Sequence, residues 1–400
     1  MTVDTDRLPP PSDVVGPRAW LRANLFGSWA SAAVTVVLGA LLLVIAVLAA
    51  QWVVNARWGV VTENLRLFLI GQYPFDQAWR IWLALTGLSL LAGLTAAGSG
   101  AAVRTLAMWL AAGQSLLAAL VLVSGLGPVV AGALVVNAAL IWVSFYLALR
   151  RPVARRALTI GWVLFVPLVF VVLQGLAGTP LATVPTRLWG GLLLTFVLAV
   201  ASIVLSFPFG VLLALGRRSD LPVIRTLSTA YIEIVRGVPL ITILFTASIM
   251  LPFFLPLELR IDALVSAIGG LTLFSAAYVA ENVRGGLQAI PSGQIEAANA
   301  IGLNAFQRNM YIVLPQALRT VIPANVGLFI SLLKDTTLVF IAGGGLLELL
   351  AIGRSVLAQP QWFGAHLEVY VFISAVFFVL CYTMSQASYR LETQMGVGTR

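Results

Sequence analysis

Apolar residues in this chain fall into long runs separated by short polar stretches, and the runs have the length of a lipid bilayer rather than of a soluble core element. Ten of them predict membrane-spanning helices: Trp29–Ala50, Ile81–Ala97, Leu106–Leu126, Val129–Leu149, Leu158–Leu176, Trp189–Leu215, Val238–Leu257, Asp262–Ala280, Val321–Ile341 and Leu367–Tyr389. Each is near the ~20 residues that cross a bilayer. The second is short, the seventh carries proline and the ninth carries charge. The fold class that follows is an all-α integral membrane protein.

Composition agrees. With 60% hydrophobic residues, 10% charged residues and a mean hydropathy of +0.99, the chain has too little polar surface for a soluble globule. One cysteine, Cys381, excludes an intrachain disulfide, and one histidine, His366, excludes any site that needs two. A net charge of +9 does not point to nucleic acid, because the arginines are scattered over short loops instead of gathered on one face. With the N-terminus on the cytoplasmic side, six arginines (57, 66, 80, 187, 260 and 354) lie outside and the other seventeen inside. That asymmetry is the positive-inside signal, and it puts both termini and the 281–315 loop in the cytoplasm. Residues 1–28, with Pro9-Pro10-Pro11 and Asp4, Asp6 and Asp13, are expected to form a cytoplasmic tail rather than a signal peptide.

The spans differ in character. Residues 29–185 hold five helices of Leu, Ala and Val with almost no internal polarity, which suits an extension that packs or anchors. From about 186 to 395 the spans acquire Pro, Gly and ionisable side chains, which lipid tolerates only where they face protein or water. The second half is therefore the candidate translocation unit.

Within it, Glu281–Pro315 is a polar island. Pro291 and Ser292 predict a helix entry, Gly293–Ile301 a short helix, Gly302 its stop, and Asn304 with Gln307 a capping box that starts the next helix. Alanines at 297, 298 and 300 would let a partner approach closely, beside the anion of Glu296. The series Glu296-Ala297-Ala298, three residues, Gly302, nine residues, Ile312-Val313-Leu314-Pro315 resembles the EAA loop of binding-protein-dependent ABC importer permeases. Further segments extend the resemblance to permeases of the polar amino-acid (histidine and glutamine) family: Gly190–Thr195, Gly210, Arg217-Arg218-Ser219, Tyr231–Leu240, Tyr278–Gly286 and Ser331–Leu338. The extra N-terminal half, with Gly71-Gln72-Tyr73-Pro74 and Trp79-Arg80-Ile81-Trp82, looks like the longer permeases of general L-amino-acid (Aap/Bzt-type) systems.

The resemblance implies a C-terminal five-helix type I ABC importer core in a bacterial inner membrane. It implies ATPase coupling through Glu296, Ala297, Ala298, Gly302, Asn304 and Pro315. The partners it implies are a second related permease, two ATPase subunits and a periplasmic amino-acid-binding protein. A P-loop needs a lysine between glycine and Ser or Thr, and the single lysine here, Lys334, stands between Leu333 and Asp335. No cofactor is expected in this chain, and ATP and Mg belong to the partner ATPase.

Charged side chains at membrane depth mark functional sites. Lys334 and Asp335 stand fifteen residues beyond Arg319, roughly 22 Å up the ninth span. With Thr336 and Thr337 they offer both signs of charge and hydroxyls to a zwitterion, and Tyr278 and Ser275, on one face with Thr272, are secondary candidates. A structural reading stands beside this: Lys334 and Asp335 as internal counter-charges, and the α-helical face as packing. Glu233 with Arg236, and Glu281 with Arg284, are spaced to position an elbow, while Gly343-Gly344-Gly345 predicts a break outside the ninth span. The rival function is an ion-coupled secondary amino-acid transporter that works without an ATPase; such carriers often show broken helices in two repeated halves, and no repeat is visible here.

Overall fold

The computed structural model describes residues 16–395 apart from 177, 180, 257–260 and 343–344. The first fifteen residues of the tail, Arg260, Arg400, the end of the expected seventh span at Leu257, and Gly343-Gly344 thus lie outside the described residues. The chain divides into two compact units, Met1–Arg57 and Trp58–Arg400. In the first, α1 (Pro17–Asn24) precedes α2 (Trp29–Asn55), which starts at a reciprocal capping box between Ser28 and Ser31. At 1.5 Å per residue, the 27 residues of α2 exceed the bilayer's hydrocarbon depth.

The second unit opens with two short helices, α3 (Gly59–Thr62) and α4 (Leu65–Ile70), and continues with four long ones: α5 (Trp79–Ala97), α6 (Ala101–Ser124), α7 (Pro128–Arg150) and α8 (Arg155–Gln174). Then follow α9 (Gly191–Arg217), α10 (Pro222–Gly237), α11 (Leu240–Phe245), α12 (Leu251–Phe254), α13 (Ala263–Gln288), α14 (Ser292–Ala300), α15 (Ala305–Arg308), α16 (Leu314–Asp335), α17 (Leu338–Ile341), α18 (Leu349–Leu357) and α19 (His366–Met395). Among the described residues nine helices are long and apolar enough to cross a membrane, and a bent pair makes a tenth.

The expected Val238–Leu257 span is present as the Leu240–Phe254 segment, and α10 meets it at 107°, at the elbow that Glu233 and Arg236 are spaced to position. Pro239 explains the bend: it lacks an N–H and drives the residue before it, Val238, into the extended region at φ −108° and ψ 136°. The expected Val321–Ile341 span ends instead at Asp335, where the Thr336 and Thr337 hydroxyls donate to the carbonyls of Leu333 and Lys334, before the short α17. Pro323 lies inside α16 without breaking it. Two π-helical turns, Thr246–Met250 and Asn309–Val313, share one cause. Each ends immediately before a Leu-Pro pair, Leu251-Pro252 or Leu314-Pro315, so a ring that clashes with an α-helical carbonyl finds a widened turn below it.

The composition change near 185 is bridged by packing. Tyr73, Leu173 and Val184 share one buried cluster with Trp189, Leu194, Leu198, Leu244 and Leu271. Here three strands of backbone meet: Gly71 pairs with Trp189, and Gly190 and Gly191 pair with Leu347 and Glu348. Buried Arg80 donates to the Ala182 carbonyl at 2.7 Å, and the Tyr73 hydroxyl donates to the Leu173 carbonyl at 2.7 Å. Glu348 caps α18, its carboxylate accepting from the N–H groups of Leu350 (2.7 Å) and Ala351 (2.9 Å). Burial pushes this carboxyl up to about 7, against those two donors, which hold it down.

The Tyr73 bond spans a hundred residues and joins the loop between α4 and α5 to α8. Tyr73→Phe removes the donor but keeps the ring, so the Leu173 carbonyl loses its partner in a buried setting. A loss of about 1–2 kcal/mol is expected, read as a lower melting temperature of the detergent-solubilised protein; an unchanged transition removes this bond from the tie between the two halves.

Candidate functional site

The loop after α13 takes the form its local signals dictate. α14 starts at Ser292 behind Pro291 and ends at Ala300, with Ile301 as its C-cap. Gly302 then turns left-handed at φ +81°, with its N–H on the Asn299 carbonyl (2.9 Å) and the Leu303 N–H on that of Ala298 (3.2 Å). This double closure is a Schellman motif, and its left-handed residue is best filled by glycine. Asn304 caps the next helix, Oδ1 accepting from the Gln307 N–H at 2.9 Å while Gln307 Oε1 accepts from the Asn304 N–H at 3.1 Å. Arg308 reaches back to Asn299 Oδ1 at 2.8 Å and ties the two helices together.

Two features differ from the expectation. The second helix is not free-standing: α15 runs through the π turn into α16 as one element, Ala305–Asp335, with Pro315 at the junction. Of the three alanines, Ala297 and Ala300 are exposed beside exposed Glu296, but Ala298 is buried, because it faces the protein side of its helix. Large apolar side chains on this loop are turned outward: Ile301 is 74%, Phe306 66% and Tyr311 69% exposed. The same loop carries the polar side chains of Glu296, Asn299 and Arg308 among these exposed apolar ones.

Behind the loop, charges assemble that the linear spacing showed only as two isolated pairs. Glu281 on α13 meets Arg284 one turn on, Arg217 from the end of α9 (3.5 Å) and Arg236 from α10 (3.6 Å). Arg217 also meets Glu233 at 2.9 Å, and the Arg236 guanidinium lies 5.6 Å over the Tyr278 ring. All five charged side chains keep some solvent contact, so each pair is worth little in stability. What they fix is direction: α9, α10 and α13 share one carboxylate. Arg217 was the member with no visible partner in the sequence, since its contacts lie 16 and 64 residues away.

The polar groups at membrane depth fall in one band. Asn282 Nδ2 donates to Asn325 Oδ1 at 3.0 Å, and Gly286 is packed against Val321 and Ala317, so α13 and α16 run antiparallel from this register point. Counting 1.5 Å per residue from it, Tyr278 and Ser275 stand about 6 and 10 Å up α13, and Lys334 about 13 Å up α16. Ser275 is buried and Tyr278 half-buried; Lys334 is exposed, Asp335 half-buried and Thr336 fully buried. Neither Lys334 nor Asp335 forms an ion pair with a described residue. Three buried polar atoms, Asn325 Nδ2, Thr272 Oγ1 and Ser248 Oγ, have no hydrogen-bond partner among the described residues. Buried polar atoms without partners are uncommon in folded proteins and call for a further ligand, water or ion. No group of three or more metal-ligating side chains occurs among the described residues.

Residues 206–393 match the family described as binding-protein-dependent transport system inner membrane component. The chain is 36% identical to the inner membrane amino-acid ABC transporter permease protein YhdY of Escherichia coli (strain K12), over 95% of this chain and 93% of that protein. It is 37% identical to the glutamate/glutamine/aspartate/asparagine transport system permease protein BztC of Rhodobacter capsulatus, over 97% of this chain and 95% of that one. Among solved structures, a chain of an amino acid ABC transporter with histidines aligns at a TM-score of 0.46 and 29% identity, over 51% of this chain and 92% of that chain.

Proposed function

The chain belongs to the family of binding-protein-dependent transport system inner membrane components, and from that premise we propose that it forms the membrane path of an ATP-driven importer of polar L-amino acids. It is a multi-pass transporter subunit rather than an enzyme. The amino-acid cargo rests on the two full-length relatives, both named as amino-acid permeases.

The observation that carries the mechanism is the exposed loop of α14 and α15. Its docking surface of Glu296, Ala297, Ile301 and Phe306 would seat on an ATPase subunit, with Gly302 and the Asn304 capping box fixing the angle between its helices. Nucleotide closure below would then push on α16 through the unbroken Ala305–Asp335 element, and on α13 and α10 through the charges around Glu281. Five spans enclose no pore alone. The reading therefore includes a second, related permease across the pathway, two ATPases on the cytoplasmic side that bind the ATP and Mg, and a periplasmic binding protein above. Both termini face the cytoplasm in this arrangement, in line with the arginine asymmetry.

A coupling assay tests it. Glu296→Lys reverses a charge on the docking surface, and Gly302→Asp forces a side chain into φ +81°. Substrate-stimulated ATP hydrolysis by the reconstituted complex is expected to fall at least about tenfold in both, a loss of the order of 1.4 kcal/mol of coupling, while the complex still purifies from the membrane. Wild-type stimulation in both variants would take the coupling role away from this loop.

A further inference from the structure

A cleft on the extension has no part in the path described above. The α5–α6 turn, α7 and the last turns of α19 enclose a space of about 210 Å³, and a wider one of about 680 Å³ opens along the neighbouring residues Gly98–Gly100 and Arg155. The walls of the smaller cleft are apolar, with Met108, Ile141, Trp142 and Phe145. Two guanidiniums stand at its rim, Arg104 from α6 and Arg390 from α19.

These two cations lack the carboxylate that the cations around Glu281 share. Arg217, Arg236 and Arg284 share Glu281, whereas Arg104 donates to the Ala96 carbonyl at 3.3 Å and Arg390 to the Thr105 hydroxyl, both neutral acceptors. No described carboxylate pairs with either one. A pair of arginines without counter-charges, above an apolar wall, fits a ligand with an anionic head and an apolar tail. Trp142 and Met108 extend that wall onto the exposed surface of the helices, where a tail would lie.

We propose that Arg104 and Arg390 hold the headgroup phosphate of an anionic phospholipid from the cytoplasmic leaflet, with its chains along Met108 and Trp142. The proposal rests on the topology that places the α5–α6 turn and the end of α19 at the cytoplasmic surface. The membrane supplies the ligand at the right depth, and guanidinium suits the bidentate geometry of a phosphate. A lipid with a quaternary ammonium head brings its own cation toward two arginines and binds less well. Inorganic phosphate could meet the arginines but gains nothing from the apolar wall. The lipid would pin α6 to α19, joining the extension to the last helix of the core.

Lipid retention tests this. The complete complex, purified with its partners, is placed in nanodiscs of phosphatidylglycerol and phosphatidylcholine, delipidated stepwise and weighed by native mass spectrometry. Wild type should keep phosphatidylglycerol in preference to phosphatidylcholine, and Arg104→Gln with Arg390→Gln should lower its retention about tenfold. A second readout needs no arginine variant: brominated phosphatidylglycerol should quench the Trp142 emission, taken as the difference between wild type and Trp142→Phe, more than the brominated choline lipid does. Equal retention in wild type and the double variant, or equal quenching by both lipids, overturns the proposal. Displacement of the lipid by millimolar inorganic phosphate overturns it too, by making this a site for free anions. Labelling of Ser99→Cys from the outer face of sealed vesicles would overturn the topology itself, which separates that failure from the others.

Discussion

Gly191→Val is expected to leave no folded permease to purify. Gly191 sits at φ +59°, a region that strains a β-branched residue, and a Cβ there would fall 2.3 Å from the Phe68 carbonyl oxygen and 2.6 Å from that of Leu67. Its neighbour is as constrained: a Cβ on Gly190 would be 2.9 Å from both the Gly71 Cα and the Leu347 oxygen. These contacts are with backbone, so no side chain can move aside. Strain and displacement together cost several kcal/mol, a large part of the 5–15 kcal/mol that holds an ordinary domain. The yield of monodisperse protein from membranes should drop at least about tenfold, while Gly113→Ala, where the added methyl meets nothing within 4 Å, should keep the wild-type yield. A monodisperse Gly191→Val protein at normal yield would mean that the crossing of residues 71, 190 and 347 is dispensable.

That crossing also marks where the sequence stops being readable. Hydropathy located the long spans because a bilayer imposes length and apolarity on each helix separately, with no need of its neighbours. Local chemistry served as well for the 281–315 loop: proline entry, Gly302 and the Asn304–Gln307 box are decided within a few residues, and all three stand in the structure. The elbow ahead of the seventh span was legible for the same reason, and Pro239, acting on Val238, sets it at 107°. What was missed is non-local. The union of Arg217, Glu233, Arg236 and Glu281 needs three helices placed side by side, and no spacing along the chain announces it. Asn325 did carry a signal, being an amide in an apolar span, but that it meets Asn282 is a matter of packing.

Uptake should respond strongly to the charges at the end of α16. Lys334→Met and Asp335→Asn are each expected to lower transport at least about tenfold with binding-protein affinity and complex assembly unchanged, because a charge at membrane depth costs several kcal/mol and persists where something offsets it. The neighbours limit what that something is. Thr336 and Thr337 spend their hydroxyls on the carbonyls of Leu333 and Lys334, and no described residue pairs with either charge. A zwitterion brings an anion for the lysine and a cation for the aspartate. The band at 6–13 Å above the Asn282–Asn325 contact, with the unpartnered Asn325 Nδ2, would then line its route. Uptake measured in proteoliposomes against binding-protein affinity separates this from a structural role. Wild-type rates in both variants would move the route to the face of Tyr278 and Ser275.

The π turn before Pro315 has an angular consequence. Seven residues separate Phe306 from Val313, and in an unbroken α-helix seven steps of about 100° return to within about 20° of the same line. Phe306 would then continue the stripe of Val313, Ala317 and Val321, which is buried against α13. The π turn absorbs one extra residue, so everything on its N-terminal side is rotated by roughly one step, about 100°. Val313 is 2% exposed and Phe306 is 66% exposed. A proline that cannot donate a hydrogen bond thus sets the azimuth of an aromatic ring nine residues away, swinging it out of the helix–helix seam and into the open.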